Sequence, residues 1–393
     1  MKKFFAFCLA ILLILGSLSS YAEAVQPEEE SALEFDDTKS ADNGKGVSPM
    51  VAKAMEGYKR GFHIALKAPQ SPAGLTPLYT ANVGTNIALR DVTDENTFTR
   101  LENVPEGGAV TIYQVEPNWA LVQYGDCIGW LKRIHLIEGS IAAIDPANTM
   151  PYGVQKPRYT AKLTEATFIY NEPSTDSVPF KVPVEKDAKF AILDFVDGFA
   201  KIIVWRDYGY IDAKLLTDIQ MVSPTDEPLS ADTPIAAYHS IFEHSIGKES
   251  NDARVVNIAV STKYMTTVLQ PGETFDFNKQ VGPYKRTKGY QAAPVLINGG
   301  SQLGYGGGTC QSSSTLYNTL LQIPQVSILH RRPHGPGSAK YLPQHQDAAV
   351  GNKALNFVFR NDYSHPLRVE AESVNGCLFI AIYKVEAELQ AGK

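Results

Sequence analysis

The sequence predicts a multidomain chain: two small all-β barrels followed by one α+β domain. Three observations carry this. Two segments repeat one another at a spacing of 80 positions, each built from short alternating apolar runs. A stretch rich in Pro, Asp and Ser, Ser223–Pro228, then separates them from the rest. Beyond it helical spacing appears, and alternation returns near the end.

The chain has 393 residues, enough for two or three domains. Its formal charge of -6 leaves no basic stripe to neutralise phosphates, which argues against nucleic acid as a partner. Lys2 and Lys3, the apolar run Phe4–Leu18 and Ala22-Glu23-Ala24 form a secretory signal pattern, residues 1–24. An exported, extracytoplasmic protein, held in the cell envelope or secreted, is therefore expected, with an uncleaved anchor as the alternative. Residues 25–69 are an acidic spacer containing a short helix from Pro49 to Tyr58. Beyond Cys8 in the leader, three cysteines remain: Cys127, Cys310 and Cys377. Their wide spacing argues against a disulfide framework and a zinc knuckle, and their odd number leaves at least one thiol unpaired within the chain.

The repeat aligns Trp119-Ala120-Leu121-Val122 with Phe199-Ala200-Lys201-Ile202, and Ile128-Gly129-Trp130-Leu131 with Tyr208-Gly209-Tyr210-Ile211. The pattern resembles the bacterial SH3-like domain, in copies at 70–138 and 157–218. That resemblance implies either cell-wall binding or a spacer role. Cys127 matches Asp207 in the second copy and reads as structural.

The last domain spans 234–386. Pro234, Ile235, Tyr238, Ile241 and Phe242 suggest a helix ended by Gly247. A second helix is expected over Ala253–Thr267, with Val256, Ala259 and Val260 inward. Gly306-Gly307-Gly308 precede Thr309-Cys310, and Leu316/Leu320 with Tyr317/Leu321 recur four residues apart. A helix therefore starts near Cys310, with Ser and Thr capping its first turn. A cysteine at a helix start feels its positive end, which favours thiolate. Uncovered N–H groups of Gly307, Gly308 and Gln311 are the candidate oxyanion donors.

A thiol nucleophile needs an imidazole. His334 is the first choice, with Asp347 as its orienting acid or merely a turn residue, and His330 and His345 as weaker choices. His239, His244 and His365 read as surface or structural. Arg331 and Arg332 either grip a substrate carboxylate or form a solvated pair, and Tyr341 lines the pocket. His330, His334, His345 and Asp347 invite a metal reading, but Pro333 and Pro336 break the helical presentation it needs; no metal and no cofactor are expected. Toward the end, Leu355–Arg360, Leu367–Glu372 and the strand begun by Cys377 read as a β-meander, its last turn at Asn375-Gly376.

The blocks Leu269–Asn278, Val281-Gly282-Pro283, Gly306–Gln311, Ser313–Asn318, Asp347–Val350 and Phe359-Arg360-Asn361 resemble the VanW domain. Arg331-Arg332-Pro333-His334 is similar to that family's Arg-His-Pro-His segment, with Arg332 where its first histidine stands. The resemblance implies a cysteine L,D-transpeptidase acting on peptidoglycan stem peptides, in a family linked to glycopeptide resistance. A cysteine peptidase or carboxypeptidase on the same stems and a non-catalytic wall-binding protein stay open beside it.

Overall fold

Burial alternates strictly in β1 (Tyr79–Asn82), and that pattern begins the first sheet. The structure is a computed structural model that describes residues 74–244, 249–297, 300–335 and 339–385. The leader, the spacer with its Pro49–Tyr58 helix, Gly247 and Pro336 lie outside the described residues. Everything described belongs to one unit, Arg60–Lys393.

The first repeat adds β2 (Ile87–Arg90), β3 (Arg100–Val104), β4 (Ala109–Val115), β5 (Trp119–Tyr124), β6 (Cys127–Lys132) and β7 (Ala142–Ala143). They form one antiparallel sheet in the order β3-β2-β6-β5-β4-β1-β7. Val83, Leu89, Ile112, Val122 and Leu131 fill its core. The second repeat holds β8 (Tyr159–Leu163), β9 (Thr167–Tyr170), β10 (Pro179–Val184), β11 (Lys189–Ile192), β12 (Asp194–Val196), β13 (Phe199–Val204), β14 (Asp207–Asp212) and β15 (Leu216–Met221). β13 and β14 fall 80 positions after β5 and β6, so the sequence repeat is a repeat of strands.

The expected closed barrels are not found among the described residues. The first repeat is an open sheet, and the second splits into β10-β9-β14-β13-β12 and β11-β8-β15. Pro179 and Pro183 in the edge strand β10 withhold N–H groups, and the register breaks between them.

The last domain is β-rich, with few helices among the described residues. It begins with β16 (Ala236–Ile241), where the sequence suggested a helix. All six residues of β16 are buried. One side meets the second repeat, where the Ala191 N–H donates to His239 Nδ1 at 3.2 Å. The other meets the helix that carries Cys310, where Ser240 and Thr315 hydroxyls lie 2.7 Å apart. A strand covered on both faces loses its alternation, so its apolar run imitates a helix.

Helix α1 (Glu249–Met265) starts earlier than expected. Its inward face is Ala253, Asn257, Ile258, Ser261 and Met265, with Val260 packed against the core as expected, while Ala259 is exposed. Then come β17 (Thr267–Leu269), β18 (Thr274–Asp276), α2 (Phe277–Gln280), β19 (Ala292–Ile297), β20 (Gly300–Tyr305), α3 (Thr309–Leu320), β21 (Val326–His330), β22 (Val358–Asn361), β23 (Leu367–Val374) and β24 (Cys377–Lys384). The sheets are β16-β24-β23-β17, β18-β22-β21 and the hairpin β19-β20. The turn at Asn375-Gly376 joins β23 to β24 as expected. The meander is not formed, because β22 pairs with β18 and β21 instead.

Arg133 fastens the first repeat to this domain and is fully buried. Its Nη1 donates to the Glu116 and Pro117 carbonyls at 3.2 and 3.1 Å, and Nη2 donates to the Gln344 carbonyl at 2.7 Å. The Tyr152 ring covers its guanidinium, 4.8 Å from Cζ. The Arg133 carbonyl in turn accepts from His345 Nε2 at 2.9 Å. Arg133→Met strands three buried carbonyls at about 1–3 kcal/mol each. The expected loss is at least about 3 kcal/mol of unfolding free energy in urea titration, and a loss under about 1 kcal/mol would show that the clamp is dispensable.

Candidate active site

The glycine turn before α3 is dictated by space. Gly306 and Gly308 have φ of +89° and +110°. A Cβ at Gly307 would stand 2.6 Å from the Pro294 carbonyl oxygen. This turn delivers Cys310 as the second residue of α3. Asn257 of α1 secures it, donating Nδ2 to the Gly307 carbonyl at 2.9 Å.

The seryl residues of α3 do not cap it; Gly308 occupies the N-cap position without a side-chain bond. They fasten α3 to the irregular segment that carries Asp347. Ser313 Oγ donates to the Ala348 carbonyl at 2.6 Å, and Ser314 Oγ accepts the Ala348 N–H at 2.9 Å. Asn318 Nδ2 donates to the Gln346 carbonyl at 2.7 Å.

Asp347 is buried and faces His334. Its Oδ2 accepts both the His334 backbone N–H and ring Nδ1, each at 2.6 Å. Nε2 is thereby left for the cavity, and His334 and Cys310 line the same one. Burial opposes a charge on His334, but Asp347 and the Cys310 side chain outweigh it and raise the imidazole to about 10. Burial pushes Asp347 up, yet the two His334 bonds and nearby Arg331 hold it below the usual carboxylate range. A cationic imidazole beside a cysteine sulfur is the pairing used in cysteine acyl transfer.

The Cys310 sulfur is partly buried. It accepts the Val350 N–H at 3.4 Å and lies 3.3 Å from the Val350 carbonyl. The cavity measures about 320 Å³. Thr309 and Gln311 give their N–H groups to the Gly306 and Gly308 carbonyls, both at 3.0 Å. The N–H groups of Gly308 and Cys310 have no acceptor among the described residues. They are free to meet an oxyanion, each for about 3–4 kcal/mol.

Several expectations need correction. Gln311 is not an oxyanion donor: its N–H is taken, and its side chain is tied to Ser240, Ile241 and Arg254. Arg331 is not open to substrate. Its Nη1 donates to Glu138 at 2.5 Å and its Nε donates to the Asp347 carbonyl at 2.6 Å. Its guanidinium also covers Tyr317, 4.7 Å from the ring centre. Arg332 is exposed and outside the cavity. Tyr341 does line the cavity. His345 is turned to Arg133 and Glu138, and His330 Nε2 to the Ala354 carbonyl, so the four metal candidates do not converge. Cys377 is buried and its Sγ donates to the Lys189 carbonyl at 3.2 Å, while Cys127 packs on the first core. His239 and His244 are buried at the junction with the second repeat. The His365 ring packs at a tilt against Tyr363, with ring centres 4.8 Å apart.

Arg254, Tyr284 and Asn257 were missed. Arg254 and Tyr284 line the cavity. Tyr284 follows the Val281-Gly282-Pro283 block directly, which was a usable signal; Arg254 and Asn257 lay unmarked on a helix.

The last domain answers to a known family: residues 253–383 match the one described as VanW like protein. These residues are a VanW domain. Over 135 residues the chain is 38% identical to the uncharacterised protein YoaR of Bacillus subtilis, which is 34% of this chain and 44% of that one. Over 165 residues it is 26% identical to the vancomycin B-type resistance protein VanW of Enterococcus faecalis, 37% of this chain and 58% of that one. The chain thus spans less than two thirds of each of these curated relatives. An NlpC/P60 family protein from Bacillus cereus superposes at a TM-score of only 0.15, with 11% identity, over 39% of this chain and 60% of that chain.

The raised imidazole has a sign. Its stabilising contribution is complete below about pH 6.5, the ordinary imidazole value, and is lost as pH climbs through about 10. Nuclear magnetic resonance should find the His334 ring protonated at pH about 8 in the wild type and neutral there in Asp347→Asn. A ring already neutral at pH about 7 in the wild type would refute the pairing.

Proposed function

We propose that the VanW domain is a cysteine acyltransferase of peptidoglycan stem peptides, working by L,D-transpeptidation. One observation supports it above the rest. Cys310, His334 and two unused backbone N–H groups meet in one cavity, with Asp347 orienting the imidazole.

The Cys310 thiolate attacks the carbonyl that precedes a terminal D-alanine. The oxyanion of the tetrahedral intermediate is met by the N–H groups of Gly308 and Cys310. The carbon–nitrogen bond breaks, His334 gives its proton to the departing amine, and a thioester remains on Cys310. An amine of a neighbouring stem then attacks the thioester. His334 takes the proton released, an amide crosslink forms, and thiolate with imidazolium is restored. Water in place of the amine turns the same cycle into a carboxypeptidase.

The enterococcal relative bears the name of a vancomycin resistance protein, which supports a cell-wall setting. The two β repeats, read as SH3-like modules, would then hold the exported chain on the wall.

The test incubates the purified full chain with a defined stem tetrapeptide. Mass spectrometry should find Cys310 carrying the stem less its D-alanine, and no adduct on Cys310→Ala. His334→Ala should slow adduct formation by at least about a hundredfold. Crosslinked product supports transpeptidation, and shortened stems alone select the carboxypeptidase. An unmodified Cys310 would leave a passive wall-binding protein.

A further inference from the structure

The charge inventory of the cavity is lopsided. Arg254 and His334 line it, and no Asp or Glu does among the described residues. Asp347 is not part of the cavity lining and bonds the His334 ring at Nδ1.

Arg254 projects from α1 beneath the glycine turn. A Cβ on Gly308 would lie 3.1 Å from Arg254 Cγ, so the arginine stem passes directly under the residue that starts α3. Its Nη2 donates to Gln311 Oε1 at 2.5 Å. That amide cannot turn away, because Gln311 Nε2 donates to Ser240 Oγ at 2.9 Å and to the Ile241 carbonyl at 3.1 Å. The guanidinium is therefore aimed by a neutral acceptor.

The other arginines near the site differ. Arg331 is paired with Glu138 and Asp347. Arg133 is spent on three carbonyls. None of the ion pairs among the described residues includes Arg254. Arg254 is half-buried, and although Tyr341, Cys310 and Glu243 interact favourably with its charge, none forms an ion pair with it; a ligand that brings a carboxylate supplies that partner. The fork of N–H groups not held by Gln311 suits a bidentate carboxylate.

We infer that Arg254 is a specificity-determining residue that binds the free α-carboxylate of the terminal residue expelled when Cys310 attacks the carbonyl before it. The cavity then takes peptides cut at their last bond and refuses amidated or extended ones. One residue separates the attacked carbonyl from that carboxylate, about 3.8 Å between successive Cα atoms. Arg254 and Cys310 border one cavity of about 320 Å³, which suits so short a reach. The direction of cutting rests on the acyl-transfer reading; the carboxylate site does not.

Binding can be measured without turnover, using the full chain with Cys310→Ala. Calorimetry compares a stem tetrapeptide as its free acid and as its C-terminal amide. The acid should bind at least about tenfold more tightly. Adding Arg254→Gln should weaken the acid to the level of the amide and leave the amide unchanged. Arg254→Lys, which keeps the charge and loses the fork, should fall between and serves if the glutamine variant fails to fold. Equal binding of acid and amide overturns the inference, and so does an acid preference that survives Arg254→Gln. An acid preference lost in Arg254→Gln, in a protein whose Cys310 never forms an adduct, upholds Arg254 and sinks the acyl-transfer reading.

Discussion

Asp347 accepts two hydrogen bonds from a single residue, and much of the chain is arranged so that it can. A buried carboxylate must be matched by donors or cations, or it gives up its charge. Here the His334 backbone fixes the place of the histidine and its ring bond fixes the tilt. Neither residue lies in a helix or a strand. Regular structure therefore does not hold them; side chains from elsewhere do. Ser313, Ser314 and Asn318 of α3 bind the backbone around Asp347, and Arg331 binds its carbonyl. His345 completes the run in the left-handed region at φ +69°, a conformation costly for a residue with a Cβ. Its ring bond to the Arg133 carbonyl shows what compensates.

The nucleophile is placed by the opposite means. Its position follows from regular elements: a hairpin, a glycine turn and a helix start. α1 and α3 are joined across their small buried polar residues, as where Ser261 and Ser312 hydroxyls meet at 2.5 Å. Small side chains let the helices approach, and each buried hydroxyl finds a partner. A rigid sulfur and an imidazole on an irregular but well-anchored segment then share one cavity.

Much of this was legible in the sequence, and the reasons for the misses are physical. Strand alternation, the Asn375-Gly376 turn and the helix after the glycines are local signals, and they appeared where expected. β16 was misread because burial on both faces erases alternation. β22 was misassigned because strand order is a long-range choice that neighbours in sequence do not reveal. Within the site, Cys310, His334, Asp347 and Tyr341 come together, but Arg331 and Gln311 serve as struts. Their partners, Glu138 and Arg254, lie far away along the chain, and no periodicity links them. Arg254 escaped notice because an arginine on an amphipathic helix reads as solvated until the packing is known.

The grip of Arg133 and Glu138 on the Asp347 segment bears on what a transplanted domain would need. A family boundary drawn at residue 253 cuts through the scaffold that steadies the chemistry. Swapping that segment between hosts would carry the sulfur across and leave two of its anchors behind.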